Sequence, residues 1–105
     1  MASKIYGTAG DTNRSFSVVL KDDGTARNLT TADAIECHLK DRSAGTVTVI
    51  TGLTGDASGV VTTTVATLTE GTFTVEYEVT EGSTITTYPG DGSTRPLLIV
   101  RAEAN

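Results

Sequence analysis

Aromatic residues are scarce in this chain of 105 residues. It contains three Tyr, two Phe and no Trp, so aromatics make up 5 % of the sequence. A sugar-binding surface usually presents several exposed aromatic rings, and few are available here. The hydrophobic core must therefore be small and mainly aliphatic.

Cysteine and histidine each occur once, as Cys37 and His38. A single cysteine excludes an internal disulfide, which is consistent with folding in a reducing cytoplasm. A single histidine excludes a metal site made of several His side chains, and it limits catalytic dyads to these two neighbours. Neighbours on a strand point to opposite faces of a sheet. We therefore predict that Cys37 is an unreactive core thiol and that His38 is a solvated strand residue.

Basic residues are also few, and they are scattered along the chain. The eight Lys and Arg residues are outnumbered by 13 Asp and Glu, which gives a formal net charge of −5. Nucleic-acid binding depends on clustered Lys and Arg that neutralise phosphates, so we expect no nucleic-acid partner. The N-terminus shows no secretion signal, and no apolar run is long enough to span a membrane, so we expect no membrane partner.

The residues that are abundant favour strands and tight turns. Threonine supplies roughly a fifth of the chain, and its branched side chain suits a half-buried pleated surface. In the segment 71–79, Phe73, Val75, Tyr77 and Val79 alternate with polar residues. This period of two is typical of a strand with one face in the core and one in water. Similar runs bounded by Gly, Asp or Ser recur along the whole sequence.

These runs predict an all-β, single antiparallel β-sandwich of about seven to eight strands. We place strands at 13–20, 34–40, 46–50, 60–65, 71–79 and 97–100, with a turn at 21–24 and a loop at 51–59. A further run begins at Thr84 and leads into a tight Pro-Gly-Asp-Gly turn at 89–92. No stretch is suited to the helical crossovers that a parallel sheet needs. We assign residues 1–105 to one domain, whose N-terminal residues 1–10 form an extended arm or an edge strand.

The sequence offers few groups for catalysis, so we predict that the protein is not an enzyme and has no cofactor. Asp22, Asp23, Asp56 and Asp91 lie in Gly-containing loops, where a weak Ca²⁺ site is conceivable, but Asp-Gly pairs are also common in ordinary turns. We therefore assign no metal site. Glu76 and Glu78 share the polar face of one strand, and Glu36, His38 and Lys40 share that of another; we interpret both sets as solvated faces.

Candidate partner-binding residues lie in the loops and in the N-terminal segment. Tyr88, beside Pro89 in a predicted loop tip, is the best candidate for an exposed aromatic contact. The full set of predicted contact residues is Ile5, Tyr6, Leu53, Tyr88, Pro89 and Arg95. An exposed strand edge is a further candidate, because a neighbouring strand can complete its backbone hydrogen bonds.

Several turn and strand segments together resemble a known family. They are Gly10-Asp11-Thr12 before Phe16–Leu20, Asp23-Gly24, Asn28-Leu29-Thr30, Ala34-Ile35, Gly59-Val60-Val61, the alternating run 71–79, Tyr88-Pro89 and Leu98-Ile99-Val100. The pattern, over residues 10–101, resembles the immunoglobulin-like N-terminal domain of bacteriophage baseplate upper proteins and small virion proteins built on it. The resemblance implies an Ig-like fold and a structural role in a virion, with no catalytic residues.

In the baseplate proteins a longer region follows this domain, whereas the present sequence ends at Asn105. We therefore expect a virion protein, made in the host cytoplasm, that belongs to a multi-subunit assembly and docks on other phage structural proteins. The first hypothesis is a capsid decoration or cement protein on the major capsid protein. The alternatives are a tail, neck or baseplate component and, from another class, a carbohydrate- or cell-surface-binding module.

Overall fold

The fold is all-β. The structure is a computed structural model, which describes residues 4–22, 24–88 and 96–101 except for the side chain of Asp22. Ten strands, and no helix, are found in these residues. The strands are β1 (Lys4–Thr8), β2 (Thr12–Val19), β3 (Lys21–Asp22), β4 (Thr25–Ala26), β5 (Ala34–Asp41), β6 (Val47–Leu53), β7 (Val60–Thr67), β8 (Gly71–Glu81), β9 (Thr84–Tyr88) and β10 (Leu97–Arg101).

The larger sheet has six strands in the order β1-β10-β8-β5-β6, with β9 added alongside the second half of β8. Strand β8 is central, because it pairs with β5 along one side and with β10 and β9 along the other. Strands β1 and β6 lie at opposite ends of this order. The prediction of a purely antiparallel fold is wrong at one place, since β1 pairs with β10 in parallel. A parallel pair needs a long connection, and here nearly the whole chain runs between the two strands.

Strands β2 and β7 form a second, antiparallel sheet, and a short β3–β4 hairpin follows β2. Phe16 of β2 and Val61 of β7 are buried in the same core as Tyr77 and Leu98 of the larger sheet. The buried Thr63 hydroxyl of β7 lies 2.7 Å from the Tyr77 hydroxyl of β8, within hydrogen-bond distance. The two sheets therefore share one core in a sandwich-like arrangement.

The predicted alternation along the central strands is confirmed. Val75, Tyr77 and Val79 of β8 are each at most 1 % exposed, while the residues between them are only partly buried. On β5, Ile35, Cys37 and Leu39 are buried, and Lys40 is exposed. Glu36 and His38 are half-buried rather than fully solvated, because β5 lies between β6 and β8.

Strand β6 is longer than expected. The predicted loop at 51–59 begins three residues too early, since β6 continues to Leu53. The register of the β5–β6 pairing shifts at a β-bulge, because Cys37 pairs with Ile50 whereas Ile35 pairs with Leu53. The bulge interrupts the regular alternation of β6, and the strand continues beyond it. The remaining loop closes with Gly59, whose carbonyl accepts a hydrogen bond from the Leu20 N–H at 2.8 Å.

The close packing around Gly59 can be tested by comparison with Gly45, which lies in the turn between β5 and β6. Both have a φ of 78°, but a Cβ at Gly59 would lie 2.7 Å from the Leu20 carbonyl oxygen, whereas a Cβ at Gly45 would meet nothing within 4 Å. Gly45→Ala should therefore lower the free energy of unfolding only by the left-handed backbone cost, about 1–2 kcal/mol. Gly59→Ala should cost clearly more, because the backbone must also shift. Urea unfolding measures both, and equal costs would contradict the close approach at Gly59.

Candidate functional site

The side of the larger sheet that faces away from β2 and β7, here called the outer face, carries most of the exposed large hydrophobic residues. Four such residues are 47–61 % exposed, and the register of the strand pairs places all of them on this face: Tyr6, Val47, Val49 and Ile85. The fifth such residue, Val19, lies on β2. Of these four, Val47 and Val49 lie together on β6, whereas Tyr6 and Ile85 lie singly on β1 and β9, so β6 carries the apolar pair that favours an interaction surface.

Strand β6 is the most accessible part of this sheet. Val47, Thr48 and Val49 are all exposed although their side chains alternate between the two faces, so this half of the strand extends beyond the cover of the second sheet. Its other edge pairs with no strand of the described residues, and a single bridge joins the following loop to β7. The sequence has no charged residue between Arg42 and Asp56. Soluble proteins usually protect such an edge with charges or proline, and β6 has neither.

A shallow groove of about 500 Å³ adjoins β6 on the outer face. Val47 of β6 lies at one side, and Thr74 and Glu76 of β8 lie at the other. His38, Lys40 and Arg42 complete its lining. The groove therefore has an apolar edge and carries charges of both signs, which suits the mixed chemistry of a protein partner.

The two predicted contact residues of the N-terminal segment lie on opposite faces of β1. Tyr6 is on the outer face, with the Arg101 guanidinium 5.4 Å from its ring centre. Ile5 pairs with Leu98 and packs against the core, so most of its side chain is unavailable to a partner. Of the two, Tyr6 alone is well placed for a contact on this face.

The prediction that Tyr88 is exposed at a loop tip is wrong. Tyr88 is the last residue of β9, pairs with Tyr77 and is 3 % exposed. The Arg27 guanidinium donates a hydrogen bond of 2.6 Å to the Tyr88 hydroxyl and lies 2.8 Å from the Glu81 carboxylate. The bond to Tyr88 is the main cause that raises the pKa of Arg27 above its ordinary value. The contact between Tyr88 and Arg27 therefore links the end of β9 to the segment that follows β4.

The remaining predicted contact residues do not form one site with these. Leu53 ends β6, at the opposite edge of the sheet from β1, and it is partly buried against the core. Pro89 and Arg95 lie outside the described residues. The predicted set is therefore divided between distant edges of the sheet. The prediction of an exposed strand edge did not name the strand, and the run of uncharged residues in β6 is the signal that could have identified it.

Cys37 lies in the core, as predicted, and His38 projects to the other face. Cys37 is 0 % exposed, and its cross-strand neighbour is Tyr77. Burial raises the pKa of the Cys37 thiol to about 11. Burial also raises the pKa of Tyr77 above its usual value. A thiol nucleophile needs access and a lowered pKa, and Cys37 has neither.

These shifts predict that the protein loses stability at alkaline pH. The folded protein holds the Cys37 proton up to pH about 11, whereas the unfolded chain releases it near its ordinary value of 9.0. The folded state therefore binds more protons between these values, so the free energy of unfolding falls as pH rises, by at most about 1.4 kcal/mol per pH unit for one group. Unfolding of Cys37→Ala should show a shallower decline over the same range. An unchanged slope would contradict the burial of the thiol.

The loop aspartates give no converging set of oxygen ligands in the described residues. The Asp56 carboxylate accepts hydrogen bonds from the Ser58 and Val60 N–H groups at 2.9 and 3.0 Å, which is ordinary turn capping. The side chain of Asp22 is not described, and Asp23 and Asp91 lie outside the described residues.

A different polar cluster is found on the outer face, at Glu36, His38 and Glu78. One potential ligand atom from each residue lies within 4.8 Å of the others. From the sequence we predicted that these residues belong to the solvated faces of two separate strands. The direct pairing of Glu36 with Glu78 across β5 and β8 cannot be seen in the sequence. The set offers one imidazole and two carboxylates.

No protein-family model, characterised protein or solved structure matches this chain significantly. Among the described residues, no helix is long and apolar enough to cross a membrane.

Proposed function

We propose that this protein is a non-enzymatic structural protein that attaches to a partner protein through strand β6 and the adjoining outer face. The observation that carries the proposal is the edge of β6, which is uncharged, rich in β-branched residues and, at Val47–Val49, exposed on both faces. An extended segment of a partner would pair with the backbone of this edge. Val47 and Val49 would then be buried beside the new strand.

The class of partner that we propose is another bacteriophage virion protein, and the first role is capsid decoration. The resemblance over residues 10–101 supports this assignment, and with it an Ig-like arrangement of the strands. A tail, neck or baseplate component is the alternative within the same class. In both cases a compact β domain would use one sheet edge for attachment and leave the remaining surface in solvent.

The aromatic residues favour a protein partner over a carbohydrate. Tyr6 is the one exposed ring, whereas Phe16, Tyr77 and Tyr88 are buried and Phe73 is partly buried against the core. Stacking on a sugar needs exposed rings, and a single tyrosine at the edge strand β1 supplies little of that surface.

The test is the copy number of this protein in purified particles of the phage that encodes it, measured by quantitative mass spectrometry against the major capsid protein. Near-equimolar amounts are expected for a capsid decoration protein. A small fraction of that amount would place it in the tail, neck or baseplate. Absence from the particles would contradict a virion role and would favour the alternative, a carbohydrate- or cell-surface-binding module.

A further inference from the structure

Glu36 and Glu78 are directly opposite each other on neighbouring strands of the outer face. Glu36 of β5 pairs with Glu78 of β8, and His38 follows two residues later on the same face of β5. Both strands are interior at this point, since β5 is flanked by β6 and β8, and β8 is flanked by β5 and β9. The hydrogen-bonded ladder therefore fixes the positions from which the three side chains project.

The charges at this place are not balanced by neighbouring residues. Like charges directly opposite each other destabilise a strand pair. The Glu78 carboxylate makes no salt bridge or hydrogen bond to any described residue, and the Glu36 carboxylate lies 3.2 Å from His38 Nε2, within hydrogen-bond distance. The outer surface of the second sheet differs, because there opposed Ser and Thr hydroxyls, such as those of Ser15 and Thr64, are hydrogen-bonded.

The three side chains have the chemistry and the separation of metal ligands. Zn²⁺ accepts imidazole nitrogen and carboxylate oxygen at about 2.0–2.2 Å, so ligand atoms in a tetrahedral site lie about 3.3–3.5 Å apart. The atoms here lie within 4.8 Å of one another, and His38 Nε2 is 3.2 Å from Glu36 Oε1. Rotation of partly exposed glutamate side chains is enough to close the remaining distance. A cation between the two carboxylates would also replace their repulsion with attraction.

We propose that Glu36, His38 and Glu78 bind a divalent transition-metal ion, with Zn²⁺ as the best fit. The imidazole favours Zn²⁺ over the oxygen-preferring ions Ca²⁺ and Mg²⁺. Three protein ligands leave at least one coordination position open, and because the site is on the outer face, that position is directed to solvent. The bound ion links β5 to β8 and stabilises the sheet. This site does not depend on the virion role or on the docking of β6.

The test is calorimetric titration of the untagged protein with Zn²⁺. The expected result is one ion per chain, with a rise in melting temperature of about 10 °C when free Zn²⁺ reaches 100 times the dissociation constant. Loss of a ligand should weaken binding at least about tenfold, in His38→Ala, Glu36→Gln and Glu78→Gln alike. The control is Glu70→Gln, which removes the same charge at an exposed position just before β8, away from the three ligands, and should retain the affinity of the native chain.

Nuclear magnetic resonance of the single histidine gives a second readout on the native chain. The ring signals of His38 should shift on addition of Zn²⁺ and remain unchanged with Mg²⁺, and this result does not depend on any variant folding correctly. No Zn²⁺ binding at millimolar concentration would overturn the proposal. Binding that survives His38→Ala, or that is weakened equally by Glu70→Gln, would also overturn it, because the ion would then be held elsewhere or by general charge.

Discussion

Replacing Val49 with lysine should reduce attachment to the particle by at least about tenfold. Val49 is 48 % exposed on the outer face of β6 and would be covered by an added strand. Burial of a valine side chain contributes about 1.5–3 kcal/mol, and each 1.4 kcal/mol corresponds to about tenfold in affinity. A lysine loses this contribution and also places a charge in the new contact. Charges on edge strands are the usual means by which proteins prevent strand addition.

The matched control for this variant is Val19→Lys. Val19 lies on β2 of the other sheet and has a similar exposure, 44 %. The two variants have the same change in side chain and net charge, so they differ only in which sheet carries the lysine. Binding of each purified variant to particles that lack the native protein should separate them. Equal binding by both variants would contradict docking through β6, as would a larger loss for Val19→Lys.

Truncation of Leu98 should produce the largest loss of stability among the variants considered. Leu98 of β10 is 1 % exposed and lies between Ile5 of β1 and Phe73 of β8. A Leu→Ala change at a fully buried position costs about 2–5 kcal/mol, because apolar contacts are lost and a cavity remains. For a domain of this size each kcal/mol corresponds to roughly 4–8 °C in melting temperature. We therefore expect melting at least about 8 °C lower.

Leu97 provides the control, because it is the same residue type on the adjacent position of the same strand. Its side chain is directed to the outer face and is only partly buried. Leu97→Ala should cost less than half as much as Leu98→Ala in thermal and urea unfolding. Similar costs for both variants would contradict the assignment of the two faces of β10, and with it the position of the outer face.

The faces of the central strands could be predicted from sequence because their pattern is local. The alternation of Val75, Tyr77 and Val79 with polar residues gives the buried side of β8, and the same argument gives the buried side of β5. Side chains at successive positions of a strand must point to opposite faces, so no knowledge of the neighbouring strands is needed.

Features that depend on which strands pair could not be predicted from a local sequence pattern. The parallel pairing of β1 with β10 joins the two ends of the described chain, and no local pattern indicates it. The hydroxyl of the buried Tyr88 is hydrogen-bonded to Arg27, which is 61 residues away in sequence. The opposition of Glu36 to Glu78 requires the exact register of β5 and β8. The open edge of β6 likewise depends on the order of the strands, although its lack of charge is visible in the sequence.

Hydrogen exchange of the backbone amides, compared between the free protein and the protein bound to its particle, tests the docking of β6 most directly. Exposed edge amides exchange readily, whereas those paired with an added strand are protected. We predict that binding slows exchange in Val47–Leu53 and leaves the β2–β7 sheet unchanged. Unchanged exchange in β6, together with new protection along β2, would contradict the proposal and place the contact on the opposite side of the domain.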